Sequence, residues 1–397
     1  MRDEKPALTF AAGTFYDRTM PAGTDRQQPG RDGNECSIRE ATLSDYEGIQ
    51  AVMIRNGLYA EDYPSWSRVW TENPFRREIP IPMGWVLEHS HFGIVGTFSN
   101  VPRLYTLHDE RVRVVVARAW GVDPQFRSQS IFLAAKFFSQ PDVDLFLDTT
   151  ASSEAGAVFK AFKCRQIPGP AANYMLFWIT NYAGFAGSML KKKKIPDLWG
   201  LRVAAGAALR CADFALRPKA HPGKRVVCLL SRFDERMDEI WDVLRSRHDR
   251  LLAVRSRDAL EWQLGPTLQS GETVVFGALE GNRLSGYLIL RRYDAENLGL
   301  TRFRVVDMQA VEDEEDAILS LMSAAIDYSK RAGVYVLEAM GFHESKHKLL
   351  ECLGPLRRLL PSYPFLYGVN SRAEQLGIAL KNADSWDPSP FDGDAAL

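Results

Sequence analysis

The residues best suited to chemistry lie in one short segment, 122–131, between a predicted strand and a predicted helix. A turn at this kind of junction leaves backbone N–H groups unpaired, and these groups and the helix dipole favour a pyrophosphate. Arg127 would add positive charge there, and the small Ser128 and Ser130 would let a phosphate approach the backbone. We therefore expect an anion-binding turn made by Val122, Gln125, Phe126, Arg127, Ser128, Gln129, Ser130 and Ile131.

A second segment begins with a buried-type strand at 143–148 and continues into a helix from about Ser153. Ser152 stands just before the helix, and we count it with the anion-binding residues. Asp148 and Glu154 are candidates for a general base. Asp123, in the first turn, is a further candidate. For each of these carboxylates, a solvated surface group or a helix cap is the alternative interpretation.

In these two segments the sequence resembles the GNAT acyltransferase family. Val122, Pro124 and Arg127 match the end of its signature strand and the turn that follows. Ser130 and Phe132 stand where the family has two small residues, so Phe132 is expected to point into the core. In the second segment Ala155 matches the family's second motif.

The resemblance implies an acyl donor, acetyl-coenzyme A or a longer acyl-coenzyme A, and an amine acceptor. A base would take the ammonium proton, and a backbone N–H at a split between two central strands would polarise the thioester carbonyl. Ser152 and Phe159 stand where many members have an asparagine and a thiolate-protonating tyrosine. Because phenylalanine donates no proton, another group or water would have to protonate the thiolate.

The order of elements predicts an α+β protein with two GNAT-like domains, each a mixed, mainly antiparallel sheet flanked by helices. The first domain spans residues 36–182 and closes with a strand at Tyr174–Ile179. The second, degenerate domain spans 226–380. A mobile leader (1–35), a basic amphipathic linker helix (183–225) and an acidic tail (381–397) complete the chain. The tail is expected either to fold back over an acceptor amine or to fray.

The second domain is not expected to bind coenzyme A in the usual way. Its equivalent turn carries five consecutive acidic residues, 312–316, which would repel a pyrophosphate. Glu338, His343, Glu344 and His347 gather after its last core strand, and a chance grouping competes with an acid–base or metal cluster. We predict no metal site.

The linker carries ten basic and two acidic side chains between Lys191 and Arg225. As a helix it would place Arg202, Arg210 and Asp213 on one polar stripe and leave a broad apolar face. It could be an interdomain helix packed against both domains. Alternatively, 191–217 could touch a membrane peripherally, with the lysines at 191–194 on anionic headgroups.

Composition restricts the partners further. A formal net charge of −1 gives no whole-molecule reason to expect nucleic acid. Five scattered cysteines without a C-x-x-C pair argue against a zinc site or a disulfide framework and fit a reducing cytosol. The expected location is cytoplasmic, with peripheral attachment to the inner membrane face as an addition. The oligomeric state is left open.

Three functions follow from these observations. The first is an acyl-coenzyme A dependent N-acyltransferase acting on an amino sugar or polysaccharide precursor, because the sequence resembles members from bacterial polysaccharide gene clusters. The second is an N-acyltransferase acting on an amino-lipid of the sphingoid type. The third is a binding or scaffold protein whose coenzyme A sites have decayed.

Overall fold

The computed structural model describes residues 35–169, 174–196, 198–216, 222–247, 249–311, 314–360 and 365–394. The predicted leader therefore lies outside the described residues except for Glu35. The strands are β1 (Cys36–Glu40), β2 (Gly84–His89), β3 (Gly93–Leu107), β4 (Glu110–Val122), β5 (Leu145–Asp148), β6 (Arg165–Gln166), β7 (Tyr174–Ile179), β8 (Val226–Leu230), β9 (Leu252–Ala253), β10 (Thr273–Glu280), β11 (Arg283–Arg292), β12 (Arg302–Ala310), β13 (Val336–Met340), β14 (Leu356–Leu359) and β15 (Leu366–Val369). The helices are α1 (Tyr46–Arg55), α2 (Tyr63–Thr71), α3 (Ser130–Phe138), α4 (Ser153–Ala161), α5 (Tyr182–Lys192), α6 (Trp199–Leu216), α7 (Glu235–Arg247), α8 (Arg257–Gln269), α9 (Glu315–Arg331), α10 (Glu344–Glu351) and α11 (Glu374–Ala379).

The first sheet has the strand order β1-β2-β3-β4-β5-β15-β6, with β9 added beside β3. Its strands are antiparallel except for the parallel pair β4 and β5. Helices α3 and α4 cover one face, and α1 and α2 cover the other. The predicted helix face of Ile49, Val52 and Met53 is buried, as its spacing indicated.

The second sheet repeats this plan in the order β14-β7-β13-β12-β11-β10-β8. It too is antiparallel except for one parallel pair, β12 and β13. Helix α9 packs against it through an almost wholly buried apolar face that includes Ile318, Leu321, Met322 and Ala325. The predicted α+β class with two mainly antiparallel sheets is confirmed.

The two sheets exchange a strand, and one prediction is wrong for that reason. Strand β7, expected to close the first sheet, pairs instead with β13 and β14 of the second sheet. Strand β15, from near the end of the chain, takes its place and pairs with β5 and β6. An apolar strand fits the centre of either sheet, so its own pattern does not say which sheet receives it.

One hydrophobic cluster is shared by the two sheets. It joins Val114 and Leu147 of the first sheet to Tyr287 and Ile289 of the second, with Trp262 of α8 in the same cluster. The halves of the chain are therefore joined by exchanged strands and by a common apolar core.

The linker region also differs from its prediction. It contains two helices, α5 and α6, rather than one, and they pack against each other. Among the described residues, no helix combines the length and apolar character needed to cross a membrane.

Candidate functional site

The centre of the first sheet opens where its two parallel strands part. Pairing between β4 and β5 runs from Val114 and Leu145 to Val116 and Leu147 and ends there. Strand β4 continues to Val122 without a β5 partner. Its next residues change from buried to partly exposed at Arg118, Ala119 and Trp120. The family resemblance stated above implied a split of this kind between two central strands.

A β-bulge lies at this opening. Thr97 pairs with Gly121 and Ser99 with Arg118, so that Ala119 and Trp120 face the single residue Phe98. Ala119 has a φ of 51°, a left-handed conformation that few non-glycine residues adopt. Bulges are common next to active sites, and the extra residue of a bulge is left unpaired in the sheet ladder.

The predicted anion-binding turn lies at the end of β4. A 3-10 helix spans Pro124–Gln129 and leads directly into α3, whose first residue is Ser130. Arg127 and Ser128 are exposed, and Gln129 and Ser130 are partly exposed. The side chain of Ile131 is 39% exposed. The Ser130 hydroxyl donates to the Arg127 carbonyl at 2.7 Å. Val122 is buried, Gln125 is exposed, and Phe126 packs against the ring of His89 at 5.1 Å.

The base of this turn is held by an ion pair. Asp123 is buried, and its carboxylate accepts hydrogen bonds from Arg55 at 2.8 Å and from the Asn56 amide at 3.2 Å. Both of its carboxylate oxygens are occupied by these donors. Asp123 is therefore explained as a structural anchor between α1 and the turn.

Asp148 lies on the other side of the opening, at the end of β5. Its side chain is almost fully buried, and it accepts a hydrogen bond from the Thr150 N–H at 3.1 Å. Burial, assisted by the nearby Asp394 carboxylate, raises the pKa of Asp148 to about 7. A carboxyl that titrates near neutral pH is matched to proton transfer at that pH.

Asp394 is a site residue that the sequence analysis missed. The hydroxyl of Thr150 donates to its carboxylate at 3.0 Å, and that of Thr149 donates at 3.2 Å. Loss of hydration raises the pKa of Asp394, while Arg118 and the two threonines oppose this rise. A second carboxylate near Asp148 was not visible in the sequence because the two residues are 246 positions apart.

Glu154 has a different environment. It is exposed in the first turn of α4, where backbone and serine hydrogen bonds hold its pKa below the usual range. Ser152 caps the same helix, and its hydroxyl accepts from the Ala155 N–H at 3.2 Å. Between Asp148 and Glu154, Asp148 has the pKa that suits a base at neutral pH.

Two aromatic residues of the motifs are placed in opposite ways. Phe132 is 55% exposed, so the expectation that it points into the core is wrong. It lies with Ile131 on the solvent side of α3, because Leu133, Ala134 and Phe137 form the buried face of that helix. Phe159 is fully buried, among the rings of Phe98, Phe137 and Phe138.

The equivalent opening in the second sheet is filled by the end of the chain. Pairing between β12 and β13 ends at Val305 and Ala339, and β12 continues to Ala310. Beyond that point Asp307 accepts a hydrogen bond from the Ser389 hydroxyl at 3.1 Å. The Lys346 ammonium donates to the Met308 carbonyl at 3.1 Å. A pantetheine arm has no room where the tail already lies.

The predicted cluster after β13 has ordinary structural partners. Glu338 pairs with Arg302 and Arg304 at 3.2 Å each. The His343 Nδ1 caps α10, and His347 Nε2 contacts the Gly341 carbonyl. Within the described ranges, no group of three or more histidines, cysteines or acidic residues is arranged around a metal position.

Several solved structures have a fold similar to that of this chain. A probable N-acyltransferase of unknown function from Enterococcus faecalis V583 superposes with a TM-score of 0.54 at 11% identity, covering 84% of this chain and 72% of that one. A GCN5-related N-acetyltransferase from Anabaena variabilis gives 0.52 at 11% identity, with coverage of 84% and 72%. The chain has the GNAT fold.

Saccharomyces cerevisiae N-myristoyltransferase, solved with bound myristoyl-CoA, is also similar, with a TM-score of 0.50, 11% identity and coverage of 87% of this chain and 80% of that one. No family model matches the sequence, and no curated protein matches it significantly. At this level of identity the similarity establishes the GNAT fold over most of the chain.

Proposed function

We propose that the protein is an N-acyltransferase that moves an acyl group from coenzyme A to an amine. The observation that carries this proposal is the opening between β4 and β5. One rim holds the turn at 124–131, and the other holds Asp148 and Asp394. The donor would place its pyrophosphate at the turn, with Arg127 beside it, and its thioester in the opening.

The chemistry follows from these positions. The Asp148–Asp394 pair accepts a proton from the acceptor ammonium, and the neutral amine then attacks the thioester carbonyl. A backbone N–H at the Ala119–Trp120 bulge polarises that carbonyl and stabilises the tetrahedral oxyanion. Collapse of the intermediate breaks the carbon–sulfur bond, and the nitrogen gives up its second proton to form the amide. Because the buried Phe159 has no proton to give, water relays that proton from the nitrogen to the departing thiolate.

The proposed acceptor is an amino sugar or another polysaccharide precursor. The acceptor side of the opening is polar. Arg118 pairs with Glu61 at 2.6 Å, and the positive charge of Arg118 also acts on the Asp394 carboxylate, whose pKa it lowers. A hydroxyl-rich amine would find both donors and acceptors there. The support for a sugar is this polarity together with the sequence resemblance.

An amino-lipid acceptor is the second candidate, and one observation favours it. Helix α6 exposes large apolar side chains beside a run of lysines, which suits a protein that works at a bilayer surface. A peripheral location at the inner membrane face belongs to this candidate. A non-catalytic scaffold is the third, favoured by the burial of Phe159 and by the plugged second opening.

Calorimetric titration with acetyl-, octanoyl- and palmitoyl-coenzyme A tests the donor site. Arg127→Glu is expected to abolish binding, because it reverses the charge beside the pyrophosphate. Arg372→Glu, which changes another exposed arginine, is the matched control and should bind as the parent does. Absence of binding to all three donors in the parent would establish the scaffold function instead.

The role of Asp148 as the general base is tested by measuring release of free coenzyme A in the presence of amino sugars or long-chain amines. Asp148→Asn is expected to lower kcat by a factor of about 10² to 10⁴ and leave donor affinity unchanged. Glu154→Gln, which alters the exposed carboxylate, should have little effect. The preferred amine separates the sugar from the lipid candidate, and equal rates for Asp148→Asn and the parent would remove Asp148 from the mechanism.

A further inference from the structure

The helices α5 and α6 form a hairpin whose contact face is partly polar. The Tyr182 hydroxyl donates a hydrogen bond to the buried Asp213 carboxylate. Gly206 lets the helices approach closely, since a Cβ there would lie 2.9 Å from the Cα of Ala183. Leu209 packs against the small apolar cluster around Phe185. The residues that hold α6 are therefore 206, 209 and 213, on one side of the helix.

The rest of the circumference of α6 is largely apolar and exposed. Because successive residues turn by about 100°, Trp199, Val203 and Phe214 lie along one flank of the contact face and Leu201 lies on the other side. Among the exposed described side chains of α6, Arg210 carries the single charge. The large apolar side chains on or just before the helix are Leu198 (65% exposed), Trp199 (74%), Leu201 (42%), Val203 (41%) and Phe214 (88%). A surface of this kind on a water-soluble fold indicates a binding site.

A run of positive charge adjoins these apolar residues. Lys191, Lys192, Lys193 and Lys194 are all exposed, at the end of α5 and in the turn that follows. The chain then passes through Ile195, which is 41% exposed, before α6 begins. Positive charge thus lies in the chain directly beside the exposed apolar residues at the start of α6.

We propose that the α5–α6 hairpin binds the surface of an anionic lipid bilayer. Helix α6 would lie along the interface with Trp199 and Phe214 among the upper acyl chains, and the four lysines would contact the headgroups. Exposed aromatic side chains beside a run of exposed cations are the combination that an anionic bilayer attracts. This inference goes beyond the proposed reaction, because it depends on neither the donor nor the acceptor.

Charge complementarity favours a bilayer over a second copy of the chain. A second copy of α6 would offer the four lysines no acidic partner, because Asp213 is the single acid of the helix and is buried. Anionic headgroups would neutralise the lysines. Self-association through α6 is therefore the alternative that the experiment must separate.

Co-sedimentation of the full-length chain with vesicles provides the test. The parent is expected to bind vesicles of phosphatidylcholine mixed with phosphatidylglycerol and not vesicles of phosphatidylcholine alone. Lys192→Gln/Lys193→Gln/Lys194→Gln should reduce the partition coefficient about 100-fold, since each cation near such a surface contributes about a factor of five. Trp199→Ser/Phe214→Ser should reduce it by a factor of about 100 or more.

The controls change exposed lysines and exposed apolar residues elsewhere on the chain. Lys330→Gln/Lys348→Gln/Lys381→Gln removes three exposed lysines, and Leu359→Ser/Ile378→Ser removes two exposed apolar side chains. Both controls should bind as the parent does. Equal binding by the hairpin variants and the controls, or no binding by the parent, would overturn the proposal. A parent dimer in light scattering that Trp199→Ser/Phe214→Ser converts to a monomer would overturn it in favour of self-association.

Discussion

The hydroxyl of Thr150, just after the central strand β5, donates a hydrogen bond to the carboxylate of Asp394 near the end of the chain at 3.0 Å. Gly393 makes this approach feasible, because a Cβ there would lie 1.7 Å from the Thr149 hydroxyl. The tail therefore reaches the rim of the first opening after it has filled the second. Two carboxyl groups, Asp148 and Asp394, come to the same rim by this route.

Asp148→Asn is expected to raise stability at alkaline pH. The pKa of Asp148 is about 7 in the folded chain, against 3.8 for an ordinary aspartate. A folded state that binds the proton more tightly loses stability as the pH rises from about 4 to about 7. Removing the charge should raise the free energy of unfolding at pH 8 by up to roughly 4 kcal/mol.

Urea unfolding of the parent and of Asp148→Asn, measured from pH 4 to pH 8, checks this. The difference between the two proteins should shrink toward zero at the acidic end, where the parent carboxyl is protonated. Glu154→Gln is the control and should give no gain at pH 8. A gain for Asp148→Asn that does not change with pH would mean that burial of its charge is not the cause.

Arg255→Met is expected to loosen the tail and destabilise the whole chain. The Arg255 side chain is fully buried and pairs with Asp307 at 2.8 Å and with Asp392 at 3.3 Å. Removing the cation would leave two buried carboxylates without their partner, at a cost of about 3–5 kcal/mol. Burial also raises the pKa of Asp392 to about 6, so the cost should fall as the pH is lowered below that value.

Thermal unfolding at pH 5 and pH 8 measures this effect. Arg245→Met is the matched control, since Arg245 forms exposed pairs with Asp109 and Asp242. Its loss should change stability by less than about 1 kcal/mol. If the two variants melted at the same temperature, the buried arginine would not be the anchor of the tail.

Phe159→Tyr is expected to lower stability without improving catalysis. The sequence places this residue where related proteins carry a proton-donating tyrosine, but the ring is fully buried among other aromatic rings. An added hydroxyl would lose its hydration without an evident partner, at a cost of about 1–3 kcal/mol. Release of coenzyme A and urea unfolding measure the two effects. A rise in kcat would show that residue 159 does reach the thiolate.

The strand exchange predicts that neither half of the chain folds alone. A fragment of residues 1–225 lacks β15, the partner of β5, and a fragment of residues 226–397 lacks β7, the partner of β13. Each should fail to show a cooperative unfolding transition by circular dichroism. Co-expressed fragments should co-purify, because each supplies the strand that the other lacks. Cooperative unfolding of the first fragment alone would contradict this expectation.

The sequence by itself determined the local elements and their chemistry. The spacing of Ile49, Val52 and Met53 was enough to predict α1, because one amphipathic helix records its buried face in its own period. The Val122–Ile131 turn and the candidate Asp148 were also visible, since a strand end followed by a helix start is a local pattern. The α+β class followed from the order of such elements.

Only the tertiary structure decided which distant segments meet. Strands β7 and β15 exchange sheets, and Asp394 joins Asp148 across 246 positions, because strand pairing and tail packing depend on the total surface buried. The same holds for the surroundings of α6: Asp213, expected on a polar stripe, is buried against Tyr182, and Leu209, expected on the apolar face, packs beside Phe185. Local periodicity records that a face is apolar; the rest of the chain decides what covers it.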